Sequence, residues 1–153
     1  MNYFDLLEIP ISYNLDESQL LRVYLQKQSR SHPDANGATS SQNDSAFLNA
    51  AYKTLIDPIR RAEHFLQTKN MNIGDTPSDI AAKTFKLQED YSALTSLEEK
   101  RMFQKNLKNQ MDAMLESMSK TEEHLEEFCR IFNQLRFISL FLEKIGDEIY
   151  SGN

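Results

Sequence analysis

From Leu125 to Leu142 the chain returns to an apolar residue every three or four positions, through Phe128, Phe132 and Leu135, with Ser139 holding the register. Only a helix brings residues at that spacing onto one face, so neither a strand nor a loop suits this stretch. The same period runs through most of the chain. Four glycines in 153 residues, and no run in which apolar and polar residues alternate, leave no candidate for a sheet. The sequence therefore predicts an all-α protein.

Prolines and capping residues divide the helices. A short apolar segment, Tyr3, Phe4, Leu6, Leu7 and Ile9, closes at Pro10. Asp16 is a predicted N-cap with Gln19 three residues on, opening a helix from Glu17 to Arg30 that carries Leu20, Leu21, Tyr24 and Leu25 on one side. A small polar loop follows, then a helix from about Gln42 to Leu55 with Phe47, Ala50, Ala51 and Leu55 as its apolar stripe. That order predicts an antiparallel helical hairpin flanked by short helices. Asp57-Pro58 restarts a helix as N-cap and first helical residue, with Ile59, Ala62, Phe65 and Leu66 facing inward. The polar stretch 70–76, containing Gly74, reads as a linker between domains at 1–69 and 77–150.

Three helices are predicted beyond the linker. The first has Thr76 as N-cap and Pro77 at its first position, with Ile80, Thr84, Leu87 and Tyr91 inward. The second starts at Ser96 with Glu99 three residues on and runs through Met102, Leu107, Met111, Met114, Leu115 and Met118, its methionines read as core filler. The third follows Thr121. Short connections make neighbours antiparallel, as in a three-helix bundle.

Between the helices of the hairpin stands Ser31-His32-Pro33-Asp34. Pro33 fixes its own φ near about −65° and pushes His32 out of the α region, so the helix ends there with an imidazole and a carboxylate on a bend. An ordinary turn accounts for proline and aspartate equally well. The context favours a docking tip: Ser18 to Ser31 holds Arg22, Lys27 and Arg30 and no acid, on a chain of net charge −6. Arg22, Gln26, Lys27 and Arg30 fall largely on a face of their own. A local cationic stripe on an acidic protein suits an acidic protein partner better than nucleic acid or an anionic membrane.

No catalytic constellation emerges. His32, His64 and His124 have no metal-ligand spacing around them, and His124 and Cys129, five apart, point to different helix faces. A single cysteine excludes an internal disulfide and a cysteine-based zinc site. There is no glycine-rich phosphate loop, no membrane-spanning run of about 18 apolar residues and no apolar leader behind Met1. The expectation is a cytoplasmic, non-enzymatic protein with no cofactor and no metal.

Taken in order, the segment up to residue 69 resembles a J domain: short helix, basic helix, His32-Pro33-Asp34, loop, and an apolar helix ending in Asn49-Ala50-Ala51-Tyr52-Lys53-Thr54-Leu55-Ile56-Asp57-Pro58. Arg61-Ala62-Glu63-His64-Phe65-Leu66 and a C-terminal helical bundle make the whole chain similar to the HscB family, J-proteins of iron–sulfur cluster assembly. The resemblance implies a co-chaperone that stimulates ATP hydrolysis by a DnaK-class chaperone, HscA, and delivers the scaffold IscU to it. Carried over, His32, Pro33 and Asp34 are the stimulating motif, with Asp34 disturbing a charged network on the partner. Arg22, Gln26, Lys27 and Arg30 are the docking face. The scaffold surface maps to Ala81, Ala82, Phe85, Lys86, Glu89 and Phe137. Here the family's apolar pair has shrunk to alanines and an acid has become Lys86. Simple bundle core remains the other reading of Phe85 and Phe137. A J-protein with a different client, or a helical adaptor without an ATPase partner, are the alternatives for the whole chain.

Overall fold

The computed structural model describes residues 1–31 and 42–151. They form seven helices and no strand: α1 Tyr3–Leu7, α2 Glu17–Ser31, α3 Gln42–Ile56, α4 Pro58–Thr68, α5 Ser78–Ser92, α6 Leu97–Ser119 and α7 Leu125–Ser151. The chain divides into two compact units, Met1–Met71 and Asn72–Asn153.

In the first unit α3 packs on α1, α2 and α4. Phe4, Leu7, Leu20, Leu48, Ala51, Leu55, Ala62, Phe65 and Leu66 are buried there. Each large side chain among them contributes about 1.5–3 kcal/mol on leaving water. The helix ends obey local chemistry. Asp16 accepts the N–H groups of Ser18 and Gln19, and Asp57 those of Ile59 and Arg60 with Pro58 at the first helical position. α4 closes in a Schellman turn, with Asn70 at φ 55° and the Met71 N–H on the Leu66 carbonyl.

The apolar stripes expected on the hairpin are only partly buried. Leu20 is inside, but Leu25 is 55% exposed, Leu21 and Phe47 are also exposed, and Leu48 takes the buried place on α3. The α2–α3 seam is polar and aromatic instead. Tyr24 stacks on Tyr52 with 4.4 Å between ring centroids, and Tyr24 Oη and Gln28 Nε2 both donate to Asn49 Oδ1.

In the second unit α7 packs on both α5 and α6. Asp79 pairs with Arg130 near one end and Tyr91 meets Phe141 near the other, so α5 and α7 run parallel. Gly146 lies against Gln104, while Tyr91, Leu107, Ile138, Phe141, Leu142 and Ile145 form a common core with α6 running the opposite way. Ser96 and Glu99 complete the predicted capping box of α6. Three expectations need correction. Pro77, not Thr76, is the N-cap of α5, because Pro77 has extended backbone angles that leave the first helical turn to Ser78. α7 starts at Leu125 rather than directly after Thr121, whose carbonyl accepts the His124 N–H in a turn. Met102 is exposed, whereas Met118 is buried and Met111 and Met114 are half-buried, so the methionines of α6 are core filler only toward its C-terminal end.

Candidate docking surfaces

The first candidate surface lies on α2. Arg22, Gln26 and Arg30, four residues apart, form one exposed stripe along that helix. Lys27 does not join it. Its ammonium lies 2.9 Å from the Glu8 carboxylate, with only 21% of the lysine side chain exposed. The stripe runs down to Ser31, which donates its hydroxyl to the Lys27 carbonyl and is the last described residue before His32. His32, Pro33 and Asp34 lie outside the described residues.

Two arrangements that sequence reasoning missed position this helix. At the far end Arg61 is buried, its Nε donating to the Leu55 carbonyl and its Nη atoms to the carbonyls of Tyr13 and Ile56 and to Glu17. One guanidinium thereby ties the first turn of α2 to the α3–α4 corner. Nearer the tip, Ser45 Oγ donates to Gln28 Oε1, extending the bonds that Tyr24 and Gln28 make to Asn49. The available signal was the matched four-residue spacing, Tyr24 with Gln28 facing Ser45 with Asn49.

The second surface lies in the other unit. Phe85 is 61% exposed, and Ala81, Ala82, Lys86 and Glu89 are exposed too, so these residues of α5 are not core. Phe137 on α7 is half-buried beneath the Arg136 guanidinium, 5.6 Å from its ring. Ala82 and Lys86 line an open groove of about 710 Å³ with Leu87, Ala113, Met114 and Ile138, whereas Ala81, Phe85, Glu89 and Phe137 are not among its lining. Lys86 also pairs with Asp90 at 2.7 Å, which raises its pKa.

Among the described residues no group of three or more His, Cys, Asp or Glu is placed to hold a metal ion. No helix there is long and apolar enough to cross a membrane. Cys129 is buried, which pushes its thiol pKa up; its sulfur contacts the Asn72 carbonyl and the Asn133 amide.

No family model matches the chain. The Co-chaperone protein HscB homolog of Shewanella amazonensis is 35% identical over 95 residues, 58% of this chain and 55% of the relative. The chain thus spans about half the length of that relative. A Co-chaperone protein HscB homolog of Aliivibrio salmonicida is 29% identical across 97% of this chain and 99% of its own length. Among solved structures, chaperone HscB from Vibrio cholerae superimposes with a TM-score of 0.73 at 26% identity, covering 95% of this chain and 96% of that one. From end to end, in sequence and in fold, the chain is similar to HscB co-chaperones.

Proposed function

We propose that the protein stimulates the ATPase of a dedicated DnaK-class chaperone of the HscA type and delivers to it an iron–sulfur scaffold of the IscU type, in support of iron–sulfur protein maturation. The observation that carries this reading is the exposed Arg22–Gln26–Arg30 stripe, which leads along α2 straight to His32-Pro33-Asp34 in the sequence. Cationic side chains aligned on a rigid helix steer an acidic partner and fix its register, leaving the tip to act on it. On this reading 1–69 is the chaperone-facing J domain, 70–76 the linker and 77–150 the scaffold-binding domain. The protein itself makes and breaks no bond.

Scaffold binding is assigned to α5 and the neighbouring face of α7, with Phe85 as the exposed aromatic anchor. Aromatic side chains of this kind supply most of the energy of a small interface. The observation that favours a second reading, a J-domain co-chaperone for another client, is the small size of Ala81 and Ala82 together with the cation at Lys86.

Turnover by a purified HscA-type chaperone, with wild type and His32→Gln, tests the first assignment: the variant is expected to lose stimulation while still binding scaffold. Equal stimulation by both removes the motif from its role. Titration with purified IscU, repeated with Phe85→Ala and Phe137→Ala, separates the clients. Absence of any IscU binding by wild type selects the second reading.

A further inference from the structure

Glu8 is held in a conformation that its residue type does not favour. It follows α1 at φ 55° and ψ 40°, its N–H on the Asp5 carbonyl and the Ile9 N–H on the Phe4 carbonyl. That is the left-handed position of a Schellman turn, normally taken by glycine and sometimes by asparagine, because a Cβ is crowded there. The one other non-glycine residue with positive φ among those described is Asn70, in the equivalent turn after α4. Asparagine eases such a backbone through its short polar side chain; glutamate has no comparable local benefit. The reason for glutamate at this position must therefore lie in where its carboxylate goes.

It goes to the cationic helix. Oε1 lies 2.9 Å from Lys27 Nζ, and the Glu8 side chain stays 80% exposed while that of Lys27 is mostly covered. The hydrogen bond and charge of Lys27 hold the Glu8 carboxyl below the usual carboxylate range, with a further contribution from Arg30. The positive charge of Arg30 on the exposed stripe therefore also acts on Glu8, more weakly than the lysine it occupies. Lys27 sits one helical turn before Ser31, close to the tip in sequence.

We infer that Glu8 is a built-in competitor on the α2 docking face: a carboxylate that occupies Lys27 and that an acidic partner must displace to engage it. This rests on the reading of α2 as the chaperone-docking helix. It makes Glu8 a residue that sets the strength and selectivity of docking. A partner carboxylate placed well enough to exchange with Glu8 gains Lys27; a less well placed one meets a local negative charge instead. Because the Glu8 carboxylate is largely exposed, salt weakens its hold on Lys27.

The test measures ATPase stimulation of a purified HscA-type chaperone by wild type, His32→Gln, Glu8→Gln and Glu8→Gly. Glu8→Gln removes the charge and keeps the strained backbone, and Glu8→Gly removes both. Each is expected to lower the half-stimulating concentration about two- to five-fold at low ionic strength, the scale of an exposed ion pair. The difference is expected to shrink at high salt and to vanish in a Lys27→Gln background. Melting curves establish that both variants are folded. If wild type stimulates, His32→Gln does not, and Glu8→Gln gains nothing, the competitor role is overturned while the docking reading stands. A gain confined to Glu8→Gly, or one that persists without Lys27, overturns it also, since backbone relief is then responsible. If wild type and His32→Gln are equally inactive, the docking reading falls and the role of Glu8 with it.

Discussion

The imidazole of His64 accepts the Tyr3 backbone N–H through Nε2 at 2.9 Å and lies stacked on the Tyr3 ring, with 4.6 Å between centroids. An accepting nitrogen must be unprotonated, so the attachment of α1 to α4 depends on the neutral ring. Burial lowers the His64 pKa below its ordinary 6.5, and the N-terminal ammonium acts in the same direction against an opposing bond from Gln67. The folded state therefore binds fewer protons than the unfolded state below that value. Stability from this site is complete above pH 6.5 and is lost as the pH falls from there through the lower folded-state value. Melting curves between pH 7.5 and 5 are expected to show a falling midpoint for wild type. With His64→Gln that part of the slope disappears, at the loss of about 1 kcal/mol near neutrality for the weakened bond. Parallel pH profiles for the two proteins contradict the assignment.

Arg61 replaces solvent for the last carbonyls of α3, those of Leu55 and Ile56, as well as for Tyr13. Carbonyls at a helix C-terminus have no partner within the helix, and burying them without a donor is unfavourable. Arg61→Met keeps most of the volume and removes every donor. It is expected to lower unfolding free energy by about 2–4 kcal/mol in urea titrations. Arg61→Lys should recover only part, because an ammonium cannot span the fork of acceptors. A methionine variant as stable as wild type argues that the guanidinium is incidental.

Phe85 and Phe128 separate surface from core in the second unit. Phe128 is fully buried and Phe85 is 61% exposed. Phe128→Ala is expected to cost about 3–5 kcal/mol of stability, whereas Phe85→Ala should stay within about 0.5 kcal/mol of wild type. Chemical denaturation of the two variants checks this directly. A large loss at Phe85 returns it to the bundle core and withdraws it as a binding anchor.

The contrast between these phenylalanines shows where sequence pattern was informative. The period from Leu125 to Leu142 located α7, and Phe128, Phe132, Leu135 and Leu142 are buried as the period requires. Caps at Asp16, Asp57 and Ser96 were legible because one side-chain oxygen and its backbone donors lie within three residues. Burial on α2 was not. Leu21 and Leu25 fit an apolar stripe, yet the seam with α3 is taken by Leu20, Tyr24 and Gln28, and nothing local says how wide a helix face its neighbours will cover. Lys27 was assigned to the open cationic face because its charge is visible in sequence. The left-handed turn at Glu8, 19 positions earlier, that brings a carboxylate to it is a tertiary fact. On α5 the resemblance carried over Ala81, Ala82, Phe85, Lys86 and Glu89 together, but only the packing of α6 and α7 decides that Ala82 and Lys86 border a groove.

The carboxamide oxygen of Asn49 receives both Tyr24 Oη and Gln28 Nε2, and so joins α3 to the last two turns of α2. Replacing it with leucine leaves two donors on a half-buried seam without their acceptor, an expected loss of about 1–2 kcal/mol. Most helical hydrogen bonds lie within single helices and survive, so far-UV circular dichroism should change little below the melting range. The consequence under the proposed function is geometric. With the seam loosened, α2 no longer holds Arg22, Gln26 and Arg30 in a fixed position on α3, and maximal ATPase stimulation by Asn49→Leu should fall even at saturating co-chaperone. Scaffold binding by the other unit should be unaffected. Ser45→Ala removes only the outlying bond to Gln28 and is expected to lie between wild type and Asn49→Leu in both stability and stimulation. Full stimulation by a destabilised Asn49→Leu protein means that the stripe acts without the support of the α2–α3 seam.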